Sequence, residues 1–235
     1  MSENTHVQII SCGPGLSEIN DRYGYSFDWV TSMIRDKVDS IEVVKIYNNE
    51  LPSCRPGDIW IITGSRYSVY DNIDWITSFK KSIRQGLKLK IPMLGICFGH
   101  QIICSVLGAD VTKNDMGWEI GSSEASLTDG GKKSDLFRGF NHTFSVYQSH
   151  QDVVSYVPES VKVLAQNKYG VQSVSFDETV FGVQFHPEFS FEVMKAYHSI
   201  RTKKINNKEK YFVNNANDGI KVVKNFINMI LRRLK

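Results

Sequence analysis

Ile91-Pro92-Met93-Leu94-Gly95-Ile96-Cys97-Phe98-Gly99-His100-Gln101-Ile102-Ile103-Cys104-Ser105-Val106-Leu107-Gly108 joins an apolar run to a helical pattern with no loop between them. The first six residues read as a buried strand, and a helix follows at once. Small residues flank Cys97, which suits a sharp strand-to-helix turn. Such a turn lifts a nucleophile above the carboxyl edge of a sheet. The N-terminus of the following helix favours a thiolate there. A buried core cysteine accounts equally well for this segment taken alone.

Similar apolar runs lie upstream. Residues 7–10, 41–47 and 58–62 read as strands, the first closed by Gly13-Pro14-Gly15 and the third by Thr63-Gly64-Ser65. Between them, Phe27, Val30 and Ile34 recur at helical spacing, as Ile73, Phe79 and Ile83 do less strictly. Strands alternating with helices imply βαβ units and a largely parallel sheet. Beyond residue 110 the pattern changes. Segments 119–126, 142–148, 161–165, 170–176 and 180–185 look extended, with only a short helical stretch at 134–140. The expected fold is therefore α/β: a largely parallel central sheet flanked by helices, with added antiparallel strands. Helices are expected at 190–204 and over the periodic run Ile220, Val223, Phe226, Ile227, Ile230 and Leu231, with Asp218 as a cap. The polar stretch 203–217 reads as a surface insertion. No internal repeat or linker is visible, so residues 1–235 are read as one domain, with 191–235 as a basic helical extension.

A second chemical signal sits at the end of the last extended segment, Val183-Gln184-Phe185-His186-Pro187-Glu188. If the chain stays extended, His186 and Glu188 share one face, and Pro187 prevents regular continuation. Glu188 could then orient the imidazole, and His186 could take the proton of Cys97. That is the logic of covalent acyl transfer. By itself the segment equally fits a solvent-facing histidine beside a carboxylate.

Composition excludes several classes. The chain has 235 residues, 41% hydrophobic and 23% charged, which suits a globular core. It has no run of 18 apolar residues, as a membrane helix would need, and no basic-then-apolar N-terminal signal. Cys12, Cys54, Cys97 and Cys104 form no C-x-x-C pair, so free thiols in a reducing cytoplasm are expected, with no metal and no cofactor. The net charge of +3 is uneven: residues 200–235 hold ten basic and two acidic side chains. The remaining chain is net acidic, which does not suggest a general nucleic-acid-binding surface. Arg201, Lys203, Lys204 and Lys208 are read as part of a solvated helix face; a docking surface is the alternative.

Taken together, Gly95-Ile96-Cys97-Phe98-Gly99-His100-Gln101 and Phe185-His186-Pro187-Glu188, about ninety residues apart, resemble the two motifs of the class I glutamine amidotransferase family. The resemblance runs from about Val7 to about Phe191. It implies a flavodoxin-like fold, with Cys97 as nucleophile, His186 as base and Glu188 as its orienting acid. The implied reaction is hydrolysis of a γ-glutamyl amide through a thioester. Thr63-Gly64-Ser65-Arg66-Tyr67-Ser68-Val69-Tyr70-Asp71 resembles the family's oxyanion loop, with Ser65 and Arg66 in place of a usual Gly-Pro. Gly64 or Ser65 would supply one backbone donor and Phe98 the other. Gln101, and Ser149 and His150 within Tyr147-Gln148-Ser149-His150-Gln151-Asp152, resemble substrate-binding positions. Gly117-Trp118-Glu119-Ile120-Gly121 looks closest to free-standing members, with Glu119 either near the substrate ammonium or in a structural hydrogen bond.

The sequence shows no ATP-pyrophosphatase domain and no G-x-x-x-x-G-K-[ST] loop. The leading expectation is a free-standing glutaminase whose acceptor-activating synthetase, if any, is a separate subunit. One alternative is a γ-glutamyl peptidase acting on glutathione-like peptides, with Tyr67, Tyr70 and Trp118 as pocket residues. Another is a regulatory binding module that uses the same fold.

Overall fold

The computed structural model describes residues 5–203, 205 and 208–233. The first half winds as expected: β1 (His6–Ser11), α1 (Ser17–Tyr23), α2 (Ser26–Ile34), β2 (Ser40–Lys45), β3 (Asp58–Ile62), α3 (Asp74–Lys88), β4 (Met93–Ile96) and α4 (Phe98–Val106). The second half adds β5 (Asp110–Lys113), β6 (Glu119–Leu127), α5 (Asp129–Lys133), β7 (Thr143–His150), β8 (Asp152–Tyr156), β9 (Lys162–Asn167), β10 (Gly170–Ser175), β11 (Val180–Val183), α6 (Phe191–Thr202) and α7 (Lys221–Arg233).

Among the described residues, nine strands form one sheet in the order β2-β1-β3-β4-β11-β10-β9-β6-β7. The five strands from β2 to β11 are mutually parallel, and the remaining four join antiparallel. Strands β3, β4 and β11 are buried along their whole length. Helices on both faces require that, which is why these strands read as continuous apolar runs. Alternation still sorts the side chains. Ile59 and Ile61 enter the core shared with Val30, Ile34, Phe226 and Ile227 of α2 and α7. Trp60 and Ile62 enter the opposite core, with Phe79, Ile83 and Ile102 of α3 and α4.

The chain leaves β1 toward β2 on one side and later passes through β3 to β4 on the other. The loops at the carboxyl ends of these strands therefore border a topological switch point, where open α/β sheets bind ligands. Two glycines let α4 start directly on the sheet. A Cβ at Gly95 would sit 2.4 Å from the backbone of Gly99, and one at Gly99 would sit 2.3 Å from Ile62 O. No side chain fits at either position.

The structure departs from the sequence reading at several places. Strands β5 and β8 pair in a small separate sheet; both are short and half exposed, so they lack a strong apolar pattern. The helical stretch expected at 134–140 is a 3₁₀ turn, Asp135–Phe137, following α5. Asp218 does not cap α7: its carboxylate accepts from Ser145 N–H at 3.2 Å and pairs with Lys221 at 3.0 Å. The polar stretch 203–217 is not wholly superficial. Tyr211 is buried, and Phe212 O accepts from Ser122 N–H in β6 at 2.8 Å. Lys204 lies outside the described residues.

Candidate active site

Cys97 follows β4 directly and stands at the N-terminus of α4, with φ 52° and ψ −104°. A non-glycine residue in such a conformation costs roughly 1–3 kcal/mol and persists only where its surroundings enforce it. Here its N–H donates to Val183 O of β11 at 2.8 Å, and its carbonyl accepts from Gln101 N–H at 3.0 Å. The residue is 5% exposed.

Strand β11 ends at Val183, yet the motif that follows reaches the same edge. The His186 N–H donates to Tyr147 O of β7 at 2.8 Å, which pins the turn to the antiparallel half of the sheet. His186 Nδ1 lies 2.8 Å from Glu188 Oε1, and both side chains are buried. With Nδ1 occupied, Nε2 is the ring nitrogen left for Cys97, whose charge interacts with His186. Burial alone would lower the imidazole pKa. The charges of Glu188 and Cys97, with the hydrogen bond to Glu188, outweigh it and hold the pKa above its ordinary value. The second Glu188 oxygen, Oε2, is buried without a hydrogen-bond partner.

The loop after β3 closes over this pair. A Cβ at Gly64 would lie 3.1 Å from His186 Cε1 and 3.5 Å from Cys97 Cβ, so the loop backbone lies against both. Ser65 turns its hydroxyl to Cys12 O at 2.7 Å, tying the loop to the end of β1. Phe98 is the first residue of α4, and its N–H has no intrahelical acceptor.

The remaining candidate positions divide into two sorts. Ser149 Oγ is buried without a partner and lines the space beside Cys97. Gln101 also lines it, but its amide nitrogen donates to Asp152 O and Gln184 Oε1, each at 2.9 Å. Glu119 is held by four side chains: Ser123 Oγ at 2.6 Å, Asn167 Nδ2 at 2.6 Å, His150 Nε2 at 3.0 Å and Gln172 Nε2 at 3.2 Å. His150 spends its other nitrogen on Asp152 O at 3.0 Å. This pair is thus embedded in a buried polar network beneath the site. Among the aromatic candidates, Tyr67 and Trp118 line the site, whereas Tyr70 is half exposed and braces Asp152 Oδ1 at 3.0 Å.

Two open clefts meet at Cys97. One runs along Gly13, Leu16, Asn20, Phe189 and Tyr197. The other runs along Tyr67, Gln101, Trp118, His150 and Asp152. Ser65, Arg66, Cys97, Ser149 and Arg201 border both. Arg201 is therefore not on a solvated helix face. Its guanidinium lies over the Trp118 ring at 4.8 Å, and its Nε is buried without a hydrogen-bond partner. It makes no ion pair among the described residues. Burial lowers its pKa, and the nearby charges of Tyr197 and Cys97 oppose that shift. Sequence reading missed Arg201 and Tyr197. The signal was present: with Val193 they recur every four residues along α6, on one face.

Known proteins resemble this chain in sequence and fold. The Glutamine amidotransferase class-I family model matches residues 26–222. Gamma-glutamyl peptidase 2 of Arabidopsis thaliana is 29% identical over 220 residues, covering 91% of this chain and 87% of its own. A GMP synthase (glutamine-hydrolyzing) of Clostridium kluyveri is 37% identical over 130 residues, 54% of this chain and 24% of its own. The solved structure of a glutamine amidotransferase from Thermotoga maritima superimposes with a TM-score of 0.75 at 25% identity over 98% of both chains. The chain belongs to the class I glutamine amidotransferase family.

Proposed function

We propose that the protein hydrolyses γ-glutamyl amide bonds through a Cys97 thioester, and that its substrate is a γ-glutamyl peptide or conjugate whose leaving part carries a carboxylate. His186 takes the proton of the Cys97 thiol, the sulfur attacks the γ-carbonyl carbon, and the carbonyl oxygen takes the negative charge. The Phe98 N–H and an N–H of the Gly64–Ser65 turn stabilise that oxygen. His186 protonates the departing amine as the C–N bond breaks, leaving the γ-glutamyl thioester. His186 then removes a proton from water, whose oxygen attacks the thioester and frees glutamate and the Cys97 thiol. Glu188 holds Nδ1 throughout and stabilises the imidazolium. Ser149 contributes a hydroxyl to the bound γ-glutamyl group, and Gln101 fixes the Asp152 carbonyl beside it. The four free cysteines suit a reducing compartment such as the cytoplasm.

One observation carries the choice of substrate: the unpaired, part-buried Arg201 guanidinium on the border of both clefts. Ammonia released from glutamine is neutral or cationic and has no use for a cation at the cleft's edge. A peptide leaving group that carries a carboxylate pairs the charge. The similarity to gamma-glutamyl peptidase 2 over nearly the whole chain supports the same reading. The test is an assay of the isolated chain against glutamine, a simple γ-glutamyl amide and glutathione at matched concentrations. Efficient glutathione cleavage without a partner is the expected result. Exclusive glutamine hydrolysis would overturn the peptidase reading and leave a free-standing glutaminase. Silence toward all three, relieved by a copurifying protein, would instead favour a role as the glutaminase component of a synthetase.

A further inference from the structure

We propose that Phe189 is a positioning residue for His186: its ring fixes the plane of the imidazole and thereby aims Nε2 at Cys97. This rests on the reading of His186 as the base. The Cβ–Cγ bond and the hydrogen bond from Nδ1 to Glu188 hold one edge of the ring, but the broad torsion about Cβ–Cγ still lets its plane tilt. A face-to-face contact fixes a plane. His186 lies parallel to Phe189, with centroids 4.0 Å apart and an interplanar angle of 13°. Tyr197 of α6 is also parallel to Phe189, at 4.8 Å and 13°. Trp29 of α2 meets the Phe189 ring edge-on at 5.6 Å and 86°. The plate under the imidazole is thus itself held by two helices from outside the loop.

The stack also acts on charge. An imidazolium over an aromatic face is stabilised relative to the neutral ring. The charged or titratable groups around His186 are Glu188 on its own turn, Cys97 at the start of α4, and Tyr197 and Arg201 on α6, which interact with Cys97. None of them supplies an aromatic face in contact with the imidazole; Phe189 does. Replacing that ring with an aliphatic side chain of similar bulk removes both the plane and the π face and leaves Glu188 and Cys97 in place.

The experiment compares Phe189→Leu and Phe189→Tyr with the unmodified protein. One readout is the rate at which iodoacetamide alkylates Cys97 across pH, with the site confirmed by peptide mapping. It reports the cysteine–histidine pair and needs no substrate. Phe189→Leu should move the upper limb of that profile down by about half a pH unit, the size expected for a lost cation–π contact. For whichever γ-glutamyl compound the unmodified protein cleaves, kcat should fall about tenfold with KM within about twofold, while Phe189→Tyr recovers most of both losses. An unchanged alkylation profile and kcat in Phe189→Leu would overturn the proposal. An equal loss in Phe189→Tyr would also overturn it, since packing alone would then explain the effect. If Phe189→Leu does not fold, Phe189→Met takes its place. In the unmodified protein the His186 Cε1 proton should show an upfield ring-current shift, and its absence would sink the stack. If the alkylation profile shifts but no γ-glutamyl compound is cleaved, the stack stands and the substrate reading falls.

Discussion

Cys97 is held in a left-handed backbone conformation by strand β11 on one side and helix α4 on the other, with Gly95 and Gly99 removing the side chains that would block it. An electrophilic glutamine analogue should therefore label Cys97 and spare the other three cysteines. Cys12 and Cys104 are buried, and burial raises both thiol pKa values, Cys104 to about 12, so neither is a ready thiolate. Peptide mapping after labelling checks this, and Cys97→Ala should abolish turnover. For His186 the sign follows from its raised pKa. The imidazolium is retained above the ordinary imidazole value, so activity should persist at higher pH than an unperturbed histidine allows. Glu188→Gln removes the largest raising influence and should shift the basic limb of kcat/KM toward lower pH. The same shift links to stability: the ion pair stabilises the fold fully below the ordinary imidazole value and loses that contribution as pH rises through the folded-state value. The excess in melting temperature over His186→Ala should therefore shrink from neutral to alkaline pH. At this scale the two motifs were readable because small residues and proline leave local signatures. Arg201 was passed over, because a cation in a basic run looks solvated unless it is read together with Val193 and Tyr197 on one face of α6.

At the scale of elements, α4 and β11 meet through a contact that local pattern could not reveal. His100 is fully buried; burial first, and the charge of His150 second, lower its pKa to about 3, so it stays neutral. Its ring occupies the space left by Gly182, where a Cβ would lie 2.4 Å from Nδ1. Gly182→Ala should therefore destabilise the fold by about 1–3 kcal/mol through overpacking, as chemical denaturation would measure. The network around Glu119 makes a second test of element-level structure. Glu119→Gln leaves at least one of its four donors facing an amide N–H, which should cost about 1–3 kcal/mol with little change in KM. Normal stability with a raised KM would instead return Glu119 to the substrate. The parallel half of the sheet was legible because full burial writes itself as apolar runs. Strands β5 and β8 were not, since exposed four- and five-residue strands carry too few buried positions to stand out.

Across the whole molecule, the site lies on the seam between the parallel and antiparallel halves of the sheet. Cys97 belongs to the first half, while Ser149 and the Tyr147 carbonyl that holds His186 belong to the second. Helix α6 returns from that seam and sets Arg201 between the two clefts, close enough for its charge to interact with Cys97. If the substrate is the γ-glutamyl peptide proposed, one half of it would rest against β7 and the turn after it, and the other half along α1 and α6. That arrangement makes a prediction about both partners of one contact. Arg201→Ala should lower kcat/KM for glutathione about 10- to 100-fold, the range for a lost charge-assisted hydrogen bond. Glutathione amidated at its C-terminal carboxylate should suffer a similar loss with the unmodified protein. Combining the variant with the amidated peptide should add little further, because the same contact is already gone. If the two losses instead multiply, Arg201 and the carboxylate act independently. If Arg201→Ala affects glutamine as strongly as glutathione, the guanidinium serves the γ-glutamyl half and not the leaving peptide.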